Sequence, residues 1–245
     1  MISLMTVRTF FKNLAMPIAL VAIAAFFALK EPAFLGSRTL TQLLIEFSIV
    51  ATLALGMFMI ILTGNIDLSV GSGVGLVGGI AAVLVFEQNW PAPLAMLAGL
   101  GAALVLWTLM GTLIVKQRIP SFIITLGGLL VFKGLFWLVI NNSTIPVARG
   151  DEDNIYSLLT TYYFPAKVGL AVAIGLAVVL GWLQRNGRAA RVAHQLPVPN
   201  AAIEFGKWIA TTAALITVAI VCNHFRGVPL SLLILGATAL SVYFL

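Results

Sequence analysis

Residues Leu62–Gly73 read LTGNIDLSVGSG and lie between two long apolar runs. An asparagine, an aspartate and two serines are packed here among glycines, in a chain otherwise dominated by aliphatic residues. Gly64 and Gly71 can break a helix or take backbone angles barred to other residues. Asp67 or Ser69 can accept hydrogen bonds from the free N–H groups of a helix that starts just after them. Backbone that leaves a helix within a membrane has to be satisfied by protein or by water. The stretch therefore reads as a capped break between a second and a third apolar span. It serves either as a tight turn at the membrane surface or as a discontinuous element lining a pathway. In the second case Asn65, Asp67 and Ser69 would be offered to a polar solute or would support the broken helix.

The flanking chain sets the class. Of 245 residues, 61% are hydrophobic and only 9% charged, against roughly a quarter charged in soluble domains. Too few charges remain to solvate a globule, which leaves an all-α integral membrane protein, a polytopic helical bundle. Helices of roughly 20 apolar residues cross a bilayer. The sequence predicts about eight transmembrane spans, near 14–35, 40–62, 69–86, 93–115, 121–140, 168–183, 203–222 and 229–245. The first follows Arg8 and Lys12, but no small-x-small cleavage site closes it, so it reads as an uncleaved span. A long loop is expected over 141–167 and a basic loop over 184–200.

The net charge of +6 reflects topology, not nucleic acid, because Lys and Arg cluster between the apolar runs. With the N-terminus cytoplasmic, the inner segments carry Arg8, Lys12, Lys116, Arg118, Arg185, Arg188, Arg191 and Lys207. The outer segments then carry Lys30, Arg38, Arg149, Lys167 and Arg226, and the inner side holds the larger share. The chain stops within the apolar run ending at Leu245, which reads as an interrupted chain.

Two kinds of intramembrane feature stand out. Glu46 and Lys133 each lie six to seven residues from an outer span end, about 10 Å deep at the helical rise. Charges at that depth face a partner or water, so they are expected either to pair or to snorkel separately. Gly71, Gly75 and Gly79 recur every fourth residue, a smooth face on which a neighbouring helix could pack. The same run contains G-x-G-x-x-G (Gly73, Gly75, Gly78), which lacks the soluble strand-turn-helix setting of a dinucleotide site and reads as accidental.

Other chemistry is thin. Asp151-Glu152-Asp153 is a single acidic run beside Arg149 and reads as a solvated loop, not a metal site. His194 and His224 have no partner spacing, Cys222 is the only cysteine, and no P-loop is present. No catalytic residues, metal or resident cofactor are expected.

The stretch LTGNIDLSVGSGVGLVGGIAAVL (Leu62–Leu84) resembles permease subunits of bacterial ABC importers for monosaccharides, the ribose- and xylose-type permeases. Thr63-Gly64-Asn65-Ile66-Asp67-Leu68-Ser69-Val70-Gly71-Ser72 follows that family's block, with Asn65 where glycine is common. RIPSFIITLGGLLVFKGL (Arg118–Leu135) is similar to a second family block, with Lys133 where arginine is common. HQLPVPNAAIEFGKW (194–208) and NHFRGVPLSLLIL (223–235) look most like the xylose or multiple-sugar branch.

The resemblance implies a single transmembrane permease domain over 1–245, lacking the C-terminal coupling loop. It implies a transport subunit without its own ATPase motif, in a bacterial inner membrane. The implied partners are a second permease chain, two cytoplasmic ATPase subunits that bind ATP and Mg, and an extracytoplasmic sugar-binding protein. An ion-coupled secondary transporter using Glu46, Asp67 and Lys133, or a fragment without activity, are the alternatives.

Overall fold

The structure, a computed structural model, describes residues 4–147 and 154–244, with the backbone alone over 4–13. The described residues form nine α-helices: α1 (Leu4–Lys30), α2 (Ser37–Leu62), α3 (Val70–Phe86), α4 (Ala92–Gln117), α5 (Ser121–Val139), α6 (Ile155–Thr161), α7 (Ala166–Ala193), α8 (Ala201–Asn223) and α9 (Leu230–Phe244). A 3-10 turn, Pro32–Leu35, separates α1 from α2, and a short ribbon pairs β1 (Tyr163–Phe164) with β2 (Val228–Pro229).

By length and composition α2, α4, α5, α7 and α8 could cross a bilayer. The Leu14–Lys30 part of α1, α3 and α9 are apolar but shorter. These eight helices overlap the expected spans, with most boundaries moved by a few residues and those at the start of α1 and the end of α7 by ten. Helices are the form a chain must take there, because each satisfies its own backbone without water. Their apolar side chains point outward: only 6% of the most apolar window of α2 is buried within the chain, and Leu97, Leu104 and Leu130 are all more than half exposed. Such surface requires lipid or another apolar chain around it.

Two expected loops turn out to be partly helical. Within the predicted loop 141–167 lies α6, started by a capping box in which Asn154 accepts from the Ser157 backbone N–H and the Ser157 hydroxyl faces the Asn154 N–H. The predicted basic loop 184–200 is largely the last turns of α7, which runs to Ala193. Gln, Arg and Ala are good helix formers, and they extend the helix past its apolar stretch.

The chain divides into two compact units. One comprises residues 1–44 and 164–228 and is built on the antiparallel pair α7 and α8. There Trp208 Nε1 donates to the Ala177 carbonyl at 2.9 Å, above Gly181, whose missing side chain makes room for the indole. At the end of the hairpin Arg188 pairs with Glu204 and also donates to the Pro199 carbonyl.

The other unit comprises residues 45–163 and 229–245, and in it α3 packs on α4 and α5. Its core is Leu76, Met110 and Phe132, surrounded by Ile80, Leu106, Trp107, Ile124 and Phe136.

Candidate functional site

The polar stretch of Leu62–Gly73 is a break in the helical path within the second unit. Helix α2 ends on tightened turns, with Thr63 N–H and Gly64 N–H donating to the Ile60 and Ile61 carbonyls. Gly64 then takes a φ of +77°, an angle other residues adopt only with strain. The chain runs non-helically until α3 starts at Val70.

Asp67 closes this break. It is 5% exposed, and both its oxygens are occupied. Oδ1 accepts from the Ser69 backbone N–H at 2.7 Å and from the Ser69 hydroxyl at 2.6 Å. Oδ2 accepts from Trp107 Nε1 at 2.9 Å. Hydrogen bonds to a carboxylate are stronger than neutral ones. Ser69 is the N-cap residue of α3, but its hydroxyl serves Asp67 and makes no cap bond to the helix; Asp67 in turn accepts from the Ser69 N–H just ahead of the first turn.

Helix α5 satisfies the next exposed peptide. The Ile66 N–H donates to Ser121 Oγ at 3.3 Å, and the Ile66 carbonyl accepts from Thr125 Oγ1 at 3.2 Å. Trp107 lies ten residues, about 15 Å, before the end of α4, and Thr125 four residues, about 6 Å, into α5. These helices are joined by the short turn around Arg118, so both distances run from the same end of the bundle. Ser121 is the first residue of α5, so Ile66 lies beside the first turn of that helix, while the long Trp107 side chain reaches the break from further along α4.

The geometry separates the expected residues. Asn65 is half-buried and donates to Thr63 Oγ1 at 2.9 Å, which stiffens the turn. The glycine face is only partly as expected. Gly71 faces open space, Gly75 barely reaches Phe136, and Gly79 is pressed against Phe136 and Ile140. The closest approach is at Gly73, where a Cβ would overlap the Trp107 ring and crowd Phe132. A fourth-residue period misses it because α4 and α5 meet α3 on different faces. Gly128 plays the matching part on α5, where a Cβ would lie 2.9 Å from Met110 and 3.3 Å from Ser69 Cβ.

Glu46 and Lys133 were expected either to pair or to snorkel separately. Both side chains are exposed, and among the described residues they form no ion pair. They sit on α2 and α5, and the contacts of α5 are with α3 and α4. The Gly73, Gly75 and Gly78 positions lie inside α3, not in a strand-to-helix turn. Asp151-Glu152-Asp153 lies outside the described residues. Among the described residues no three His, Cys, Asp or Glu come together in reach of one metal ion.

Trp107, Ser121 and Thr125 are the neighbours of the break that sequence reasoning missed. The available signal was a lone tryptophan in mid-span, whose N–H needs a partner when buried.

A cavity of about 360 Å³ lies at the other end of α3, lined by Gly78, Gly79, Phe136, Trp137, Thr144 and Tyr156 among others. The Tyr156 hydroxyl donates to the Gly78 carbonyl at 3.0 Å, and burial raises its pKa above the ordinary value, so it remains a donor through the physiological range.

Comparison with known proteins gives the family. Residues 39–225 match the family described as branched-chain amino acid transport system / permease component. The chain is 35% identical over 225 residues to the xylose transport system permease protein XylH of Escherichia coli (strain K12), covering 89% of this chain and 56% of that protein. It is 32% identical over 238 residues to XylH of Haemophilus influenzae, covering 95% and 62%. Against the ribose import permease protein RbsC of Escherichia coli (strain K12) it is 37% identical over 138 residues, covering 56% and 42%. The chain thus spans little more than half the length of the XylH relatives. No solved structure matches it.

Proposed function

We propose, from the premise that this chain belongs to the permease-component family of branched-chain amino acid transport systems, that it is the membrane permease subunit of an ABC importer for a xylose-like monosaccharide. The observation that carries the reading is the closed break between two apolar helices. Backbone that leaves a helix in a membrane protein has to be satisfied by protein or water, and here Asp67, Trp107, Ser121 and Thr125 do so. The similarity to xylose and ribose permeases supports the substrate class.

In this reading the chain makes and breaks no covalent bond. It forms half of a pathway with a second permease chain. Two cytoplasmic ATPase subunits bind ATP and Mg, and a sugar-binding protein delivers cargo to the outer face. The N-terminus lies in the cytoplasm of a bacterial inner membrane. Asp67, with Ser69, holds the start of α3 rigid, so that movement of the bundle is passed along helices and not absorbed at the break. Asn65 stiffens the turn before it. Both oxygens of the buried Asp67 accept from protein donors, which favours a fastener of the pathway wall over a cargo ligand.

The test is purification of the N-terminally tagged protein in mild detergent, followed by reconstitution of what accompanies it. A P-loop ATPase in the complex and ATP-driven uptake of radiolabelled D-xylose are expected. Uptake driven by a proton or sodium gradient without ATP would overturn the reading in favour of an ion-coupled transporter.

A further inference from the structure

Helix α7 is longer than its apolar stretch. Lys167 and Arg185 bracket that stretch, eighteen residues or about 27 Å apart along the helix. The hydrocarbon core of a bilayer is about 30 Å thick. A crossing α7 therefore puts Arg185 at one boundary of the core, and its last two turns, with Arg188 and Arg191, continue through the headgroup layer.

Helix α8 reaches the same level. Arg188 pairs with Glu204, which fixes the height of one helix against the other. The helices run antiparallel, and Arg185 lies three residues before Arg188 while Lys207 lies three after Glu204. Both cations thus stand about 4.5 Å nearer the apolar part than the ion pair, at one height.

These charges are not neutralised by the chain. Glu204 is the one acidic residue between residues 154 and 245, and Arg188 occupies it. Arg185, Arg191 and Lys207 are exposed and make no ion pair among the described residues. The surface around them is not a water-facing one. Trp182, one turn before Arg185, is 57% exposed, and Phe205, next to Glu204, is 60% exposed. Aromatic rings beside cations at the end of an apolar span suit the membrane interface, where rings lie among headgroups and cations meet anionic lipid. A docked soluble protein would meet Arg191 first, whereas Arg185 and Lys207, nearer the apolar part, stand at the height of lipid phosphates.

We propose that this end of the α7–α8 hairpin is a binding surface for the headgroups of anionic phospholipids. Arg185 and Lys207 hold the lipid charge, and the Arg188–Glu204 pair is the brace that keeps them level. The inference rests on the membrane-spanning helices and is independent of the cargo.

The test is native mass spectrometry of the purified full chain in detergent, supplemented with equal amounts of phosphatidylglycerol and phosphatidylethanolamine bearing the same acyl chains. The second lipid carries the same phosphate with an ammonium that cancels its charge. The parent chain is expected to retain phosphatidylglycerol over phosphatidylethanolamine by about fivefold for each cation. Arg185→Gln/Lys207→Gln is expected to hold the two lipids equally. Arg185→Lys/Lys207→Arg keeps both charges and is expected to keep the preference. Lys30→Gln/Lys167→Gln lowers the net charge by the same amount, at the end of α1 and the start of α7, and is expected to leave the preference unchanged.

A parent chain that holds both lipids equally overturns the proposal. So does an equal loss of preference in Lys30→Gln/Lys167→Gln, which would make the effect one of net charge alone. Loss of a copurifying ATPase from Arg185→Gln/Lys207→Gln, with lipid retention unchanged, also overturns it and would assign the surface to a protein partner.

Discussion

Two tryptophans, Trp107 and Trp208, sit in mid-helix, each over a glycine of a neighbouring helix, and each donates its indole N–H at 2.9 Å. Trp208 gives to the Ala177 main-chain carbonyl, between helices that adjoin in sequence and pack as a hairpin. Trp107 gives to the Asp67 carboxylate, across a break where the helical ladder is interrupted. The first bond supplements a carbonyl already placed within a helix. The second belongs to a set in which every group depends on the others. The hairpin is expected to survive the loss of a member better than the break does.

That contrast can be broken, and the largest effect is expected at Asp67. Asp67→Ala strips the acceptor from the Ser69 N–H, the Ser69 hydroxyl and the Trp107 N–H at once. Buried donors left unpaired cost about 1–3 kcal/mol each, so the variant is expected to fail to accumulate as a folded species on fluorescence-detected size exclusion. Asp67→Asn keeps one oxygen acceptor and should recover part of the signal. Normal accumulation and normal uptake for Asp67→Ala would remove the fastening role.

Next is Gly73→Ala, whose new methyl meets the Trp107 ring. Overpacking of this kind costs about 1–3 kcal/mol, and a lowered unfolding temperature in detergent is expected. Gly71→Ala, facing open space, should leave that temperature unchanged. Equal losses at both positions would restore the regular glycine face.

The two tryptophans themselves give a smaller difference. Trp107→Phe removes a bond to a charged acceptor and should cost about 1.5–3 kcal/mol, against about 0.5–1.5 for Trp208→Phe with its neutral acceptor. A reversed order in thermal unfolding would mean that the hairpin, not the break, is the sensitive region.

The smallest effect concerns Glu46 and Lys133. With both side chains exposed and unpaired with each other, Glu46→Gln and Lys133→Met should be additive within about 0.5 kcal/mol in a double-mutant cycle. Clear coupling would revive the ion pair.

Much of this molecule is legible along the chain. Apolar runs of crossing length, interrupted by Gly, Pro and charge, are enough to place eight helices, because a backbone in lipid has few alternatives to the helix. The break was legible for the same reason: Gly64, Asp67 and Ser69 are residue types that end and restart helices. Helix α6 and the extension of α7 were not, since their polar residues resemble loop, and only the Asn154–Ser157 cap and the packing of α6 on α4 and α9 mark the former as ordered.

By itself, then, the sequence determined the membrane class, the helical positions and the location of the break, all consequences of local hydrophobicity and backbone chemistry. Tertiary structure alone decided which residues serve the break. The block Thr63–Ser72 and the block Arg118–Leu135 are separated by a full helix, and the bonds from Ser121 and Thr125 to Ile66 exist only once α5 lies beside α3. It also decided that Gly73 rather than Gly71 is the tight position, and that Glu46 and Lys133 face outward apart. Spacing along one helix fixes a face, but which neighbour occupies that face depends on how α4 and α5 share the space around α3.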